Sequence, residues 1–151
     1  MIGAKGEIDM NNRGFSLIEL MIVVVIIGLI ATIAIPNFMN VQSRAKEAST
    51  RSNTHTVQLA VENFAVLNEG RYPADVDNDA APNGETIMDM MPGGLPLRNT
   101  FTNAATEPIN AAAAANPGEI AYQAASQNGV IYGYLITAAG KGGDIIIRLE
   151  K

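Results

Sequence analysis

Apolar residues run along this chain in three different patterns, and each pattern predicts a different element. From Phe15 to Ile35 almost every position is apolar, and Glu19 is the single charge. As a helix those 21 residues would span about 32 Å at ~1.5 Å per residue, close to the hydrocarbon thickness of a bilayer. From Asn37 to Glu69 the helical pattern continues but becomes one-sided. Phe38, Val41, Ala45 and Ala48 recur at three- and four-residue spacing, as do Val57, Ala60, Val61, Phe64 and Leu67. Glu47 and Arg51 stand in the favourable order for an i,i+4 pair. Gly70 suits a helix C-cap and Pro73 prevents resumption, so one helix is predicted from about residue 16 to residue 69.

Residues 74 to 117 lose this periodicity. Asn83-Gly84, Pro92-Gly93-Gly94 and the alanines 111 to 115 mark a long connecting loop with short helical turns. The last third alternates instead. Glu119 to Ala125 and Val130 to Thr137 flank Asn128-Gly129, a favoured two-residue hairpin turn. Gly140-Lys141-Gly142-Gly143 then leads into Asp144 to Glu150, where Ile145, Ile147 and Leu149 share a face. The predicted fold class is α+β: a long N-terminal helix, membrane-spanning in its first half and amphipathic in its second, packed against a small antiparallel meander over 118–151. The Ile145 face is expected to lie on the Val57 to Leu67 stripe.

Composition changes the picture in three respects. Much of the 48% hydrophobic content sits in residues 15 to 35, leaving a thin core for the rest of a 151-residue chain. The formal net charge is −5 and the sequence holds no basic run, which argues against a dedicated nucleic-acid surface. There is no cysteine, so other contacts must hold the loops.

The apolar run admits more than one reading. A cleaved secretory signal has a shorter apolar region and a small-x-small cleavage site, whereas here the run is long, Glu19 interrupts it, and Pro36 crowds Ala34. A plain membrane anchor fits the length but leaves Glu19 unexplained, because a carboxylate in lipid costs up to roughly 3 kcal/mol near a helix centre and less towards an end. Residues 1 to 14 are polar, carry Lys5 and Arg13, and read as a processing or topogenic signal whose start is Met1 or Met10. Arg13 beside the span keeps the N-terminus cytoplasmic.

Arg13-Gly14-Phe15-Ser16-Leu17-Ile18-Glu19-Leu20-Met21, the Val/Ile run and Ile35-Pro36-Asn37-Phe38 resemble the N-terminal segment of type IV pilins and pseudopilins. The resemblance covers about the first quarter of the chain closely, and Ser16 stands where Thr is commoner. Gly70-Arg71-Tyr72-Pro73 after the helix adds a weaker likeness to pseudopilins and short pilins. The resemblance implies a pilin fold and a leader, residues 1–14, removed by a prepilin peptidase between Gly14 and Phe15. It also implies N-methylation of Phe15, a transmembrane and polymerisation helix over 15–36, and an exported head over 37–151. Beside it stands a physical argument: lipid is as apolar as the helix, so an unpaired Glu19 gives a neighbour's freed Phe15 amine something to neutralise. Gly28 and Pro36 bracket the segment most suited to bend, since Pro36 removes a backbone donor and crowds the preceding turn.

Other candidate chemistry is thinner. Asp75, Asp77 and Asp79 alternate like the start of a calcium loop, with Asn83 and Glu85 as further oxygens. Ala80 and Thr86 stand where an EF-hand needs Gly and Glu, so calcium is open only as a site of another type, against a solvated acidic turn. Gly140 to Gly143 precedes a strand, so no helix N-terminus faces a phosphate there, and it reads as a turn. His55, the only histidine, has no nucleophile placed beside it. A non-enzyme follows, without cofactor.

The expected protein is a structural subunit of a type IV pilus-like filament. Its partners are identical subunits, a prepilin peptidase, an inner-membrane assembly platform and lipid. It would be a single-pass bacterial inner-membrane precursor and then an extracellular or periplasmic filament. The major pseudopilin of a type II secretion system is the alternative, and a membrane-anchored binding module that never polymerises is the alternative of another class.

Overall fold

The computed structural model describes residues 14–92 and 96–151. Contacts divide the chain into two compact units, Met1–Met39 and Asn40–Lys151. Helix α1 spans Leu17–Leu67 and belongs to both. It continues through Gly28 and Pro36 without a break. In the first unit its surface is apolar and open: Leu17, Ile18, Leu29 and Ile33 are each at least 65% exposed, as a lipid-facing helix requires and a soluble core helix does not allow.

The helix stops where the sequence says it should, by a slightly different turn. The Gly70 amide donates to the Ala65 carbonyl at 2.7 Å, closing a Schellman-type end. Its left-handed backbone begins one residue before the glycine, at Glu69 with φ 56°, and continues in Gly70 at 85°.

In the second unit Val57, Ala60, Val61, Phe64 and Ala65 turn one buried face of α1 onto the sheet. Strands β4 (Ile120–Gln127), β5 (Val130–Ala139) and β6 (Ile145–Glu150) form the expected antiparallel meander. Asn128 and Gly129 join the first two with φ of 54° and 78°, the positive pair a type I′ turn needs. Ile120, Tyr122, Tyr134, Ile136 and Ala138 complete the core, and Val76, Ala81, Ile87 and Met91 seal it from the connecting segment.

Three expectations change. The sheet gains a fourth strand, β3 (Ile109–Asn110), parallel to β4, while β1 (Leu97–Arg98) and β2 (Ala105–Thr106) pair separately. Elsewhere the described part of 74–117 is turns, and two of them close a single helical turn as expected: the Asp79 amide donates to the Asp75 carbonyl and the Met90 amide to the Thr86 carbonyl, each at 3.2 Å. Ile147 and Leu149 pack on the core as expected, but Ile145 is 45% exposed, because a bulge after Ala138 shifts the alternation of β6. Glu47 and Arg51 do not pair with each other. Glu47 accepts from the Lys141 amide and Arg51 donates to the Ile146 carbonyl, so one ties the helix to the β5–β6 loop and the other to β6.

Candidate functional site

The N-terminus of α1 is built by two side chains. Ser16 sits just before the helix, and its Oγ accepts from the Glu19 amide at 3.2 Å. Glu19 reaches back, and its Oε2 accepts from the Ser16 amide at 2.8 Å and from Ser16 Oγ at 2.9 Å. This reciprocal pair is a capping box, which satisfies donors that a helix start otherwise leaves open. Glu19 therefore already has a role within its own chain, and its carboxylate is held at the end where Phe15, 85% exposed, begins the apolar surface. Ile18, Met21, Ile22, Val25 and Ile26 line a shallow, wholly apolar groove directly below it. Gly14 is described and has open space around it; residues 1–13 of the expected leader lie outside the described residues.

Gly28 and Pro36 are linked through Thr32, which lies four residues from each. Thr32 Oγ1 donates to the Gly28 carbonyl at 2.8 Å. Pro36 has no amide hydrogen, so the Thr32 carbonyl loses the donor that an ordinary residue would bring. Hydroxyl back-bonding and a missing backbone bond thus fall within two turns of each other.

The three aspartates do not converge. Asp79 Oδ2 accepts from the Ala74 and Asp75 amides, and Asp75 accepts from Asp77, Asn78 and Asn110. Asn110 also donates to Asp77 and accepts from the Val76 amide, so one side chain on β3 pins the whole turn. Among the described residues no group of three or more His, Cys, Asp or Glu is placed to hold a metal ion. His55 is exposed on α1, with Gln58 as its hydrogen-bond partner.

A second polar cluster, unforeseen in the sequence, locks α1 to the sheet. Glu62 accepts from Tyr134 at 2.7 Å, from Lys151 at 3.1 Å and from Tyr72 at 3.3 Å. Tyr134 packs edge-on against Tyr72 and stacks on Tyr122, whose hydroxyl donates to the Pro73 carbonyl at 2.6 Å. Burial alone would raise the Glu62 carboxyl, but hydrogen bonds from Tyr134, Lys151 and Tyr72 outweigh it and hold it below its ordinary 4.5. Tyr134 is pushed up to about 12, chiefly by burial and then by its bond to Glu62. The signs follow from linkage. Glu62 contributes stability above its unfolded value that is lost as pH falls below about 4.5. Tyr134 contributes stability below its unfolded value, 10.0, that is lost as pH rises from there towards about 12. A melting-temperature profile is expected to be flat between these limits and to fall on both sides; Tyr134→Phe is expected to weaken the alkaline fall.

The comparisons bear on the first of these sites. Residues 9–35 match the model of the prokaryotic N-terminal methylation motif. The chain is 53% identical over 54 residues to the type IV major pilin protein PilA of Myxococcus xanthus, covering 36% of this chain and 24% of that one. It is 32% identical over 69 residues to the type II secretion system core protein G of Pectobacterium carotovorum, covering 46% and 44%. Against the type IV narrow pilus major component PilA5 of Thermus thermophilus it is 32% identical over 107 residues, covering 69% of this chain and 84% of that one. The chain belongs to the type IV pilin and pseudopilin family. The first two relatives are matched over less than half their own length. No solved structure matches it significantly.

Proposed function

We propose that this chain is a non-enzymatic structural subunit, made as a single-pass membrane prepilin and polymerised with identical copies through its N-terminal helix. The observation that carries this reading is the conjunction at residues 9–35: a methylation-motif match, an exposed apolar helix, and one carboxylate held at its start. A leader over 1–14 is removed between Gly14 and Phe15 by a prepilin peptidase, the new Phe15 amine is methylated, and 15–36 holds the precursor in the membrane. An assembly platform then draws it into the filament, and the segment from Gly28 to Pro36 supplies the give that this passage requires. Glu19 leaves its own cap to meet the methylated amine of a neighbour.

Mass spectrometry of the protein from its native membrane is expected to find a mature N-terminus at methylated Phe15. An intact leader would sink the reading. The major pseudopilin of a secretion system is the second reading, favoured by the likeness to core protein G and by Gly70 to Pro73. A non-polymerising anchored module fits less well, since the match to a pilus major component extends over 69% of this chain, well beyond any anchor.

A further inference from the structure

The sequence has no basic run, yet the fold gathers cations at one end of the second unit. Arg44 and Lys46 lie on the first turns of α1 in that unit. Lys46 Nζ stands 5.7 Å from the centre of the Phe101 ring, and the Lys141 amide is held by Glu47. Arg51 and Arg98 follow about a turn further on, Arg98 bonded to Asn53 through its carbonyl. Three carboxylates share the region. Glu47 is held against the Lys141 amide, Asp144 lies beside Gly142, and Glu119 is turned onto the Ala115 and Asn116 amides. The opposite balance prevails from residue 62 to residue 89, a stretch of seven carboxylates and one cation, Arg71, to which the fold adds Lys151 on Glu62. A chain of net charge −5 thus keeps most of its head's cations at one end.

The position of that end along the chain is informative. Phe38 and Val41, 68% and 64% exposed, extend the open apolar surface that begins at Phe15, with exposed Asn37 and Asn40 now beside them. Arg44 follows Val41 by three residues and Lys46 by five, about 5 to 8 Å along a helix. With 15–36 in hydrocarbon, Arg44 and Lys46 stand about 12 and 15 Å beyond its edge along the helix, and their long side chains, which lean back towards the helix N-terminus, reach the headgroup layer from there.

We propose that Arg44, Lys46 and Lys141, with Phe101, form a docking surface for anionic phospholipid headgroups, which seats the head on the bilayer before assembly. The proposal rests on the membrane-anchored reading above. Docking orients a stored subunit and must be released on its extraction.

The test uses the full chain, which has no native cysteine, in vesicles of phosphatidylcholine alone or mixed with phosphatidylglycerol. Thr102→Cys, beside Phe101, carries a fluorophore, with Pro82→Cys in the acidic segment as control. Headgroup nitroxides report contact, and flotation reports insertion. Quenching at 102 but not at 82 is expected, only with phosphatidylglycerol, and lost in about 1 M salt, where the Debye length falls to ~3 Å. Each cation removed is expected to shift the docked ratio about fivefold, so Arg44→Gln/Lys46→Gln/Lys141→Gln shifts it roughly a hundredfold. Lys141→Gln alone, exposed and donating only through its backbone, gives the fivefold arm if the triple variant misfolds. Three results overturn the docking while leaving the anchor intact: position 102 staying aqueous in floated vesicles, equal quenching in phosphatidylcholine, or quenching that follows protein density, which would mark a contact between copies. Failure to float overturns the anchor reading and the docking with it.

Discussion

Glu19→Gln is expected to abolish filament assembly while leaving the helix start intact. The capping box makes this substitution more informative than alanine. Gln can still reach back to the Ser16 amide, because the motif accepts Glu or Gln at its third helical position. It cannot carry the charge that pairs with a neighbour's amine. Glu19→Ala removes both, and loss of a cap alone costs about 0.5–2 kcal/mol of helix stability. Ser16→Ala gives the converse: the hydroxyl bonds go, the backbone amide of residue 16 and the carboxylate remain, and assembly is expected to continue. A charge-assisted bond contributes about 1.5–3 kcal/mol, so each joining step should weaken roughly tenfold or more. The measurement is filament yield from cells, with membrane levels of the precursor as the control. Normal filaments from Glu19→Gln would show that the carboxylate serves the cap alone.

Tyr134→Ala is expected to have the largest effect on the head. The ring is 1% exposed, lies between Tyr72 and Tyr122, and holds Glu62 and Gln58 through its hydroxyl. Large aromatic-to-alanine changes in cores cost about 3–5 kcal/mol, a large part of the ~5–15 kcal/mol that a whole domain has. The head's melting temperature should fall by on the order of 15 °C or more. Tyr134→Phe keeps the ring and is expected to cost only about 1 kcal/mol, the worth of a typical hydrogen bond. If the two variants melt alike, the hydroxyl rather than the ring holds the cluster. Thermal melts of the full chain in detergent, followed at a sheet wavelength, decide it.

Long periodic elements were legible from residues alone, and short or non-periodic ones were not. The span from Phe15, the buried stripe from Val57 to Phe64 and the Asn128-Gly129 hairpin each rest on local signals, so they emerge at the expected places. Strands β1 to β3 hold two residues apiece, too few for any alternation, and β3 is fixed by a non-local partner, β4. The same applies to Glu47 and Arg51, whose spacing favours each other but whose partners in the β5–β6 loop and in β6 compete better. At the N-terminus the spacing from Ser16 to Glu19 is itself a readable signal, the capping-box pattern before an apolar run. The Glu62 cluster had no such signal. Its four chain segments meet only in the folded head, and nothing in the spacing of Glu62, Tyr72, Tyr134 and Lys151 brings them together.

Both borders of the four-stranded sheet are blunted. On one side β3 offers two residues after Pro108, and Asn110 spends its side chain on the neighbouring turn. On the other, the bulge around Ile146 twists β6, Arg51 occupies its carbonyl, and an Arg148–Glu150 ion pair at 3.1 Å stands on the rim. A protein crowded beside its own copies in a membrane runs a constant danger of strand joining strand across molecules. Here that route is narrowed along β6 and over the short reach of β3, and it stays open on the outer side of β4 beyond Tyr122.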